Sequence, residues 1–245
     1  MNYKITLQYD GTRYDGWQKQ GNTHNTIQEK LETILGKMCQ TPIEVHGSGR
    51  TDAGVHALAQ TANFHLEPGY DAADIMSCLN RYLPADIAVT DICEVPERFH
   101  SRLNAVRKTY RYRIHAGAVK NVFGRNYIYS IEEMPDAELM RQAAAHLVGE
   151  HDFKSFCSNR HMKKSTVRHL YGIKIEQCGP ELNMEFCGNG FLYNMVRILA
   201  GTLLEVGLGH IAPDRMTDIL SKQDRQAAGP TLPAQGLFLV KVHYD

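Results

Sequence analysis

Residues 47–59 read GSGRTDAGVHALA. The stretch sets Asp52 two residues after Arg50, between glycine turns, with His46 and His56 close by. Three chemistries fit these residue types. A carboxylate beside an arginine suits a nucleophile or base that must stay ionised, because an opposite charge at hydrogen-bonding distance favours the charged form. Two histidines and an acid are also nitrogen and oxygen donors for a metal, although no further spaced cluster completes such a site. Ser48-Gly49 and Ala53-Gly54 are turn-formers, and aspartate bonds its own backbone in turns, so a structural loop fits as well. The structural reading does not account for Arg50.

Two other segments carry residues that suit chemistry. In FLYNMVRILAG, Arg197 sits on an otherwise apolar helical pattern whose neighbouring positions are Tyr193, Ala200 and Gly201. A guanidinium is costly to bury there without an acid partner; the competing reading is that it snorkels to solvent. In KTYRYRI, strand alternation puts Tyr110 and Tyr112 on one face and Arg107, Arg111 and Arg113 on the other. Rings that stack on bases and arginines that meet phosphates suit nucleic acid. Core packing of the tyrosines is the bland alternative.

The chain has 245 residues, 43% hydrophobic and 22% charged, with a formal net charge of +0. Zero net charge argues against a polyanion partner until its distribution is considered. Arg98 to Arg113 and Lys154 to Arg168 each carry several bases and no acid, while the acids concentrate between Glu67 and Glu97. A polyanion responds to a local basic face. Ordinary solvated charge is the bland alternative; if the face meets a nucleic acid, the residues expected to contact its phosphates are Arg102, Arg107, Lys108, Arg111, Lys163, Lys164 and Arg168. No run of about 18 apolar residues predicts a membrane span, and MNYKITLQYDGT has no apolar signal core. The expected location is the cytoplasm, where six cysteines without a CxxC pair read as free thiols.

The elements that must position these residues follow from periodicity. Residues 3–9 alternate as a half-buried strand, and Thr26-Ile-Gln-Glu29 reads as a capping box before a helix with Ile27, Leu31, Ile34, Leu35 and Met38 inward. Strands are predicted over 43–46, 58–66 and 86–95, with a helix after Asp71 that turns Ile75, Met76, Leu79 and Tyr82 inward and stops at Pro84. Further strands are predicted over 106–115, 167–176, 181–187 and 237–244. Helices are predicted from Asp136, over 191–206 and from Pro213. The pattern is α+β in two halves with a similar order of elements: 1–105 with the Asp52 loop, and 106–245 with Tyr110 and Arg197.

GSGRTDAGVHA resembles the signature loop of the TruA family of tRNA pseudouridine synthases. YDGTRYDGWQKQ, FHSRLNAVRKTYRYRI, FLYNMVR and AGPTLPAQGLFL resemble further family segments in the same order. The resemblance implies two RNA-recognition-like (ferredoxin-like) halves forming one mostly antiparallel sheet, with helices packed on it and a central basic cleft. It implies a homodimer, a tRNA substrate, and isomerisation of uridine to pseudouridine at positions 38, 39 and 40 of the anticodon stem-loop, without cofactor or metal. It places the nucleophile on Asp52, the arginine paired with it on Arg197, the active-site tyrosine on Tyr110, and on Arg50 the arginine that fills the space of a flipped base. Ser101, Leu103 and Leu232 depart from the usual pattern. A non-catalytic RNA-binding module is the alternative; it would keep the basic and aromatic stretches without needing Asp52 and Arg197.

Overall fold

Strand β1 (Asn2–Tyr9) is set by its alternation: Ile5, Leu7 and Tyr9 are buried while Gln8 faces solvent. Helix α1 (Ile27–Cys39) begins where Thr26 accepts the Glu29 backbone N–H at 3.3 Å. Only half of the expected capping box forms, because the Glu29 carboxylate meets the His24 ring at 2.9 Å instead. The strand expected over 43–46 shrinks to β2 (His46–Gly47). The backbone just before it is satisfied by α1: Val45 N–H donates to Glu32 Oε1 and Val45 C=O accepts from Gln28 Nε2, both at 3.1 Å. Strand β3 (His56–His65) follows the Asp52 loop.

Helix α2 (Ala72–Tyr82) is capped by Asp71, which accepts from Ala73 N–H at 2.8 Å. Ile75 and Leu79 are buried, but Tyr82 is exposed, against expectation, and Leu83 is buried in its stead. Pro84 keeps the preceding residue out of the helical region, so the chain extends at Leu83 and turns that side chain inward. Strand β4 (Ile87–Val95) pairs antiparallel with β1, and β1 with β3. The last strand, β10 (Leu237–His243), runs parallel to the start of β3, with Phe238 opposite His56; β2 pairs with the other end of β3.

The computed structural model describes residues 1–244 in two compact units: Met1–Val106 with the stretch from Phe238, and Arg107–Leu237. In the second unit β5 (Arg107–Ala116), β9 (Glu181–Gly188), β8 (Val167–Cys178) and β7 (Gly149–Asp152) pair antiparallel in that order. The short β6 (Tyr129–Ile131) lies parallel to β5. Helices α3 (Ala137–Ala145), α4 (Met195–Gly207) and α5 (Arg215–Lys222) complete the unit, and α3 packs against α4. The class is α+β with mostly antiparallel pairing. Among the described residues no helix is long and apolar enough to cross a membrane.

Helix α4 starts four residues later than periodicity indicates. Asn194 has φ +60°, a left-handed conformation that ends regular helix at that residue. Tyr193 is therefore off the helix and exposed, while Ala200 and Gly201 remain on it beyond Arg197. Asp136 caps α3 by accepting from Glu138 N–H at 2.8 Å and Leu139 N–H at 3.2 Å. Loss of such a cap costs about 1 kcal/mol. Asp136→Ala is expected to lower the free energy of unfolding by that amount, seen as a lower urea midpoint with an unchanged slope of the transition.

Candidate active site

Asp52 opens a tight turn. Val55 N–H donates to Asp52 C=O at 3.1 Å, and Gly54 takes φ +77°, the left-handed conformation such a turn requires of a glycine. Thr51 and Val55 on either side are buried, whereas Asp52 itself is half-buried. A carboxylate in an irregular loop is thus held between two anchored neighbours.

Those anchors belong to the end of β1 and the segment after it. Tyr9 Oη and Thr51 Oγ1 lie 2.8 Å apart, Trp17 N–H donates to Thr51 C=O at 3.0 Å, and Gly54 N–H donates to Tyr14 C=O at 3.3 Å. Burial pushes the Tyr9 phenol well above its ordinary pKa, the hydrogen bond to Thr51 opposing this, so it stays neutral and able to donate. The approach is close enough to demand glycine. A Cβ on Gly11 would lie 2.0 Å from Val55 O, and one on Gly16, at φ +95°, 2.7 Å from Thr51 O. The segment is fixed in turn by Asp86, which accepts from Tyr14 Oη at 2.5 Å and Arg13 Nη2 at 2.5 Å. Burial acts to raise the Asp86 pKa, and these two donors outweigh it, holding the carboxyl below its usual range.

Arg50 is exposed and tied by Nε to Gln18 Oε1 at 3.0 Å; Gln18 Nε2 donates to Gln28 Oε1 on α1 at 2.8 Å. Gln60, buried on β3, accepts from Ser48 Oγ at 2.6 Å and donates to Gly49 C=O at 2.9 Å, fixing the approach to Arg50. The two histidines do different things. His46 stacks on His100 with ring centres 5.0 Å apart. His56 is buried, accepts from Gly11 N–H at Nδ1 (3.1 Å) and stacks on Phe238 at 4.7 Å. Among the described residues no three histidine, cysteine or acidic side chains are grouped to hold a metal ion.

In the second unit Arg197 is half-buried near the start of α4. Its Nε donates to Leu232 C=O at 2.6 Å and its Nη1 to Asn194 Oδ1 at 2.9 Å. Leu232 N–H returns a bond to Arg197 C=O at 3.3 Å. The segment 228–236 reaches α4 because Gly201 has no side chain; a Cβ there would lie 2.0 Å from Pro230 O. Gly229 N–H also donates to Thr202 Oγ1 at 2.9 Å. Leu232 thus engages Arg197 through its backbone, so its departure from the family pattern does not alter that contact. Tyr110 is buried, edge-on to Phe191 at 5.1 Å. Tyr112 is fully buried with its hydroxyl on Pro233 C=O at 2.7 Å, which makes it core.

Of the basic residues, Arg102, Arg107, Lys163 and Lys164 are exposed and Lys108 half-buried. Arg111 and Arg113 pair across β5–β9 with Glu185 (2.5 Å) and Glu181 (3.1 Å). Arg168 donates to the carbonyls of Ser165 and Val167, and burial draws its pKa down. Ser101 is buried, and its hydroxyl donates to His46 C=O. Leu103 is 78% exposed.

The family model described as tRNA pseudouridine synthase matches residues 5–104 and 143–245. A tRNA pseudouridine synthase A from Bacillus sp. (strain KSM-64) is 46% identical over 243 residues, 99% of each chain. Another, from Geobacter sp. (strain M21), is 43% identical over 244 residues, 99% of this chain and 98% of its own. The chain belongs to the tRNA pseudouridine synthase family. Membership makes it an isomerase acting on tRNA.

The close approach of residue 11 to the Asp52 loop yields a test. Gly11→Ala must displace the Val55 backbone, and a misplacement of about 1 Å at a reacting group costs on the order of a hundredfold in rate. Turnover is expected to fall by about that factor in chains shown folded by circular dichroism. Wild-type turnover would remove the loop-positioning argument.

Proposed function

We propose that this chain isomerises uridine to pseudouridine at positions 38, 39 and 40 of the tRNA anticodon stem-loop, with Asp52 as nucleophile on a flipped-out base. The observation that carries the reading is the presentation of Asp52: a half-buried carboxylate on a turn whose two flanks are buried and hydrogen-bonded to residues 9–17. A turn that only reversed the chain would need no such bracing.

A uridine within a folded stem-loop must first leave its stack, at a cost of a few kcal/mol. Arg50, exposed and tethered through Gln18, fills the vacated space. Tyr110 stacks on the extruded base. Arg197 keeps Asp52 ionised, and its fixed orientation by Leu232 C=O and Asn194 Oδ1 suits that role. Asp52 then enables cleavage of the N-glycosidic bond, the base turns, and it rejoins the ribose through carbon 5. The hydrogen displaced from carbon 5 leaves as a proton. Product and substrate have the same composition, so the reaction needs neither a redox cofactor nor an energy source. Arg102, Arg107, Lys108, Arg111, Lys163, Lys164 and Arg168 meet phosphates in this reading. The working form is a homodimer in the cytoplasm, as the family resemblance implies.

Release of tritium from carbon-5-labelled uridine in tRNA is the direct assay. Asp52→Asn is expected to abolish release while tRNA binding stays near wild type; a variant that still turns over sinks the nucleophile assignment. A non-catalytic RNA-binding module would release no tritium even as wild type. Arg197→Met is expected to lower kcat by at least about tenfold, since it removes the positive partner proposed to hold and orient the Asp52 carboxylate. An unchanged kcat would dissolve the proposed pairing.

A further inference from the structure

The connection from β7 to β8 is long for two strands that pair directly. Asp152 and Val167 are opposite one another in the ladder, and residues 153–166 run between them, where antiparallel neighbours are commonly joined by two to five residues. The first part of the excursion is core: Phe153, Phe156 and Cys157 are buried. The second part, residues 159–165, is almost entirely exposed and carries Arg160, Lys163 and Lys164.

The two parts enclose a cavity of about 380 Å³ lined by Lys154, Arg160, Lys163 and Lys164, with Asp152 the one acid on its wall. The acid is consumed in closing the loop. Asp152 Oδ1 accepts from Lys154 N–H at 3.0 Å and from the Thr166 hydroxyl, and Oδ2 accepts from Gln223 Nε2 at 2.9 Å. Phe153 N–H donates to Thr166 C=O at 3.1 Å across the same mouth. The lysine and arginine ion pairs described in the second unit join Arg111, Arg113, Arg141, Lys174 and Arg215 to acids, and use none of the four cations in the cavity. Four basic residues therefore line one hollow whose only carboxylate is already bonded by three donors.

Such a hollow selects an anion, and its lining selects among anions. No aromatic ring lines it, so it offers nothing for an unstacked base to lie on. Lysines and an arginine around an open cavity suit phosphodiester oxygens, the contacts that position a nucleic acid without reading its sequence. We infer that the Lys154–Arg160–Lys163–Lys164 cavity is a docking site for the sugar–phosphate backbone of a base-paired stem of the tRNA substrate. The inference rests on the tRNA reading above. It adds Lys154 and Arg160 to the RNA-binding residues and gives Lys163 and Lys164 a common site. The cavity positions substrate and takes no part in chemistry.

The test uses the full chain with the triple substitution Arg160→Gln, Lys163→Gln and Lys164→Gln, assayed by tritium release from tRNA at several salt concentrations. Each neutralised phosphate contact removes roughly 0.7–0.9 from the slope of log affinity against log salt. The expected result is a KM raised at least about tenfold, kcat within about twofold of wild type, and a salt slope shallower by roughly 2–3. A companion variant with both lysines changed to arginine should restore KM, which a fold defect would not allow. An unlabelled RNA duplex without a target loop should compete with tRNA on the wild type and compete less on the triple variant. An unchanged KM and salt slope in the triple variant overturns the site. A wild type that binds tRNA but releases no tritium overturns the proposed function instead, and the duplex competition then still decides the cavity.

Discussion

The first unit's candidate chemistry depends on one backbone-to-backbone approach: residues 11–17 lie against residues 51–55 closely enough that Gly11 and Gly16 have no room for a side chain. The hydrogen bonds along this seam are each worth only about 1 kcal/mol net. Their value lies in direction. Trp17 N–H and Tyr9 Oη fix both the carbonyl and the hydroxyl of Thr51, and the next residue is Asp52. Gly54 bonds back to Tyr14, so the turn is held at its far side too. With both sides fixed, the carboxylate projects from a place that neither a strand nor a helix would give it.

The second unit solves the same problem by the same means. A charged side chain, Arg197, is oriented by a remote segment, residues 228–236, that approaches because Gly201 is bare at the contact. Asn194 contributes twice: its left-handed backbone sets where the helix begins, and its side-chain oxygen accepts from the guanidinium. Placing an arginine near the start of a helix rather than in its middle lets its head group reach Leu232 C=O and Asn194 Oδ1 while its neighbours Val196, Ile198 and Leu199 stay in the core.

Much of the frame was legible from the chain itself. The strand at residues 2–9, the caps at Thr26, Asp71 and Asp136, and the shared face of Tyr110 and Tyr112 follow from local pattern, and the structure has them. The glycine turn around Asp52 was legible too. What was not legible is everything carried by distant partners. Arg111 and Arg113 sit in a stretch without acids, yet the fold sets Glu185 opposite the first and Glu181 diagonal to the second, from some seventy residues away. The grip of Tyr9, Gly11, Gly16 and Trp17 on the loop left only one local trace, two YDG triplets whose glycines no helix or strand requires. Strands β6 and β7, of three and four residues, are too short for any periodicity to register. Tyr82 misled because Pro84 forces the chain to extend at Leu83, and Leu83 takes the buried place that the helical pattern assigns to Tyr82.

In the proposed mechanism the first unit places the Asp52 carboxylate, and does not merely supply a negative charge near the substrate. Asp52→Glu keeps the charge and moves the oxygens outward by one methylene on the same braced turn. Single-turnover tritium release from carbon-5-labelled tRNA separates the two ideas. If position governs, Asp52→Glu falls at least about a hundredfold below wild type, consistent with the rate cost of roughly 1 Å of misplacement. If Asp52→Glu keeps a rate near wild type, charge alone suffices and the account of the loop is wrong.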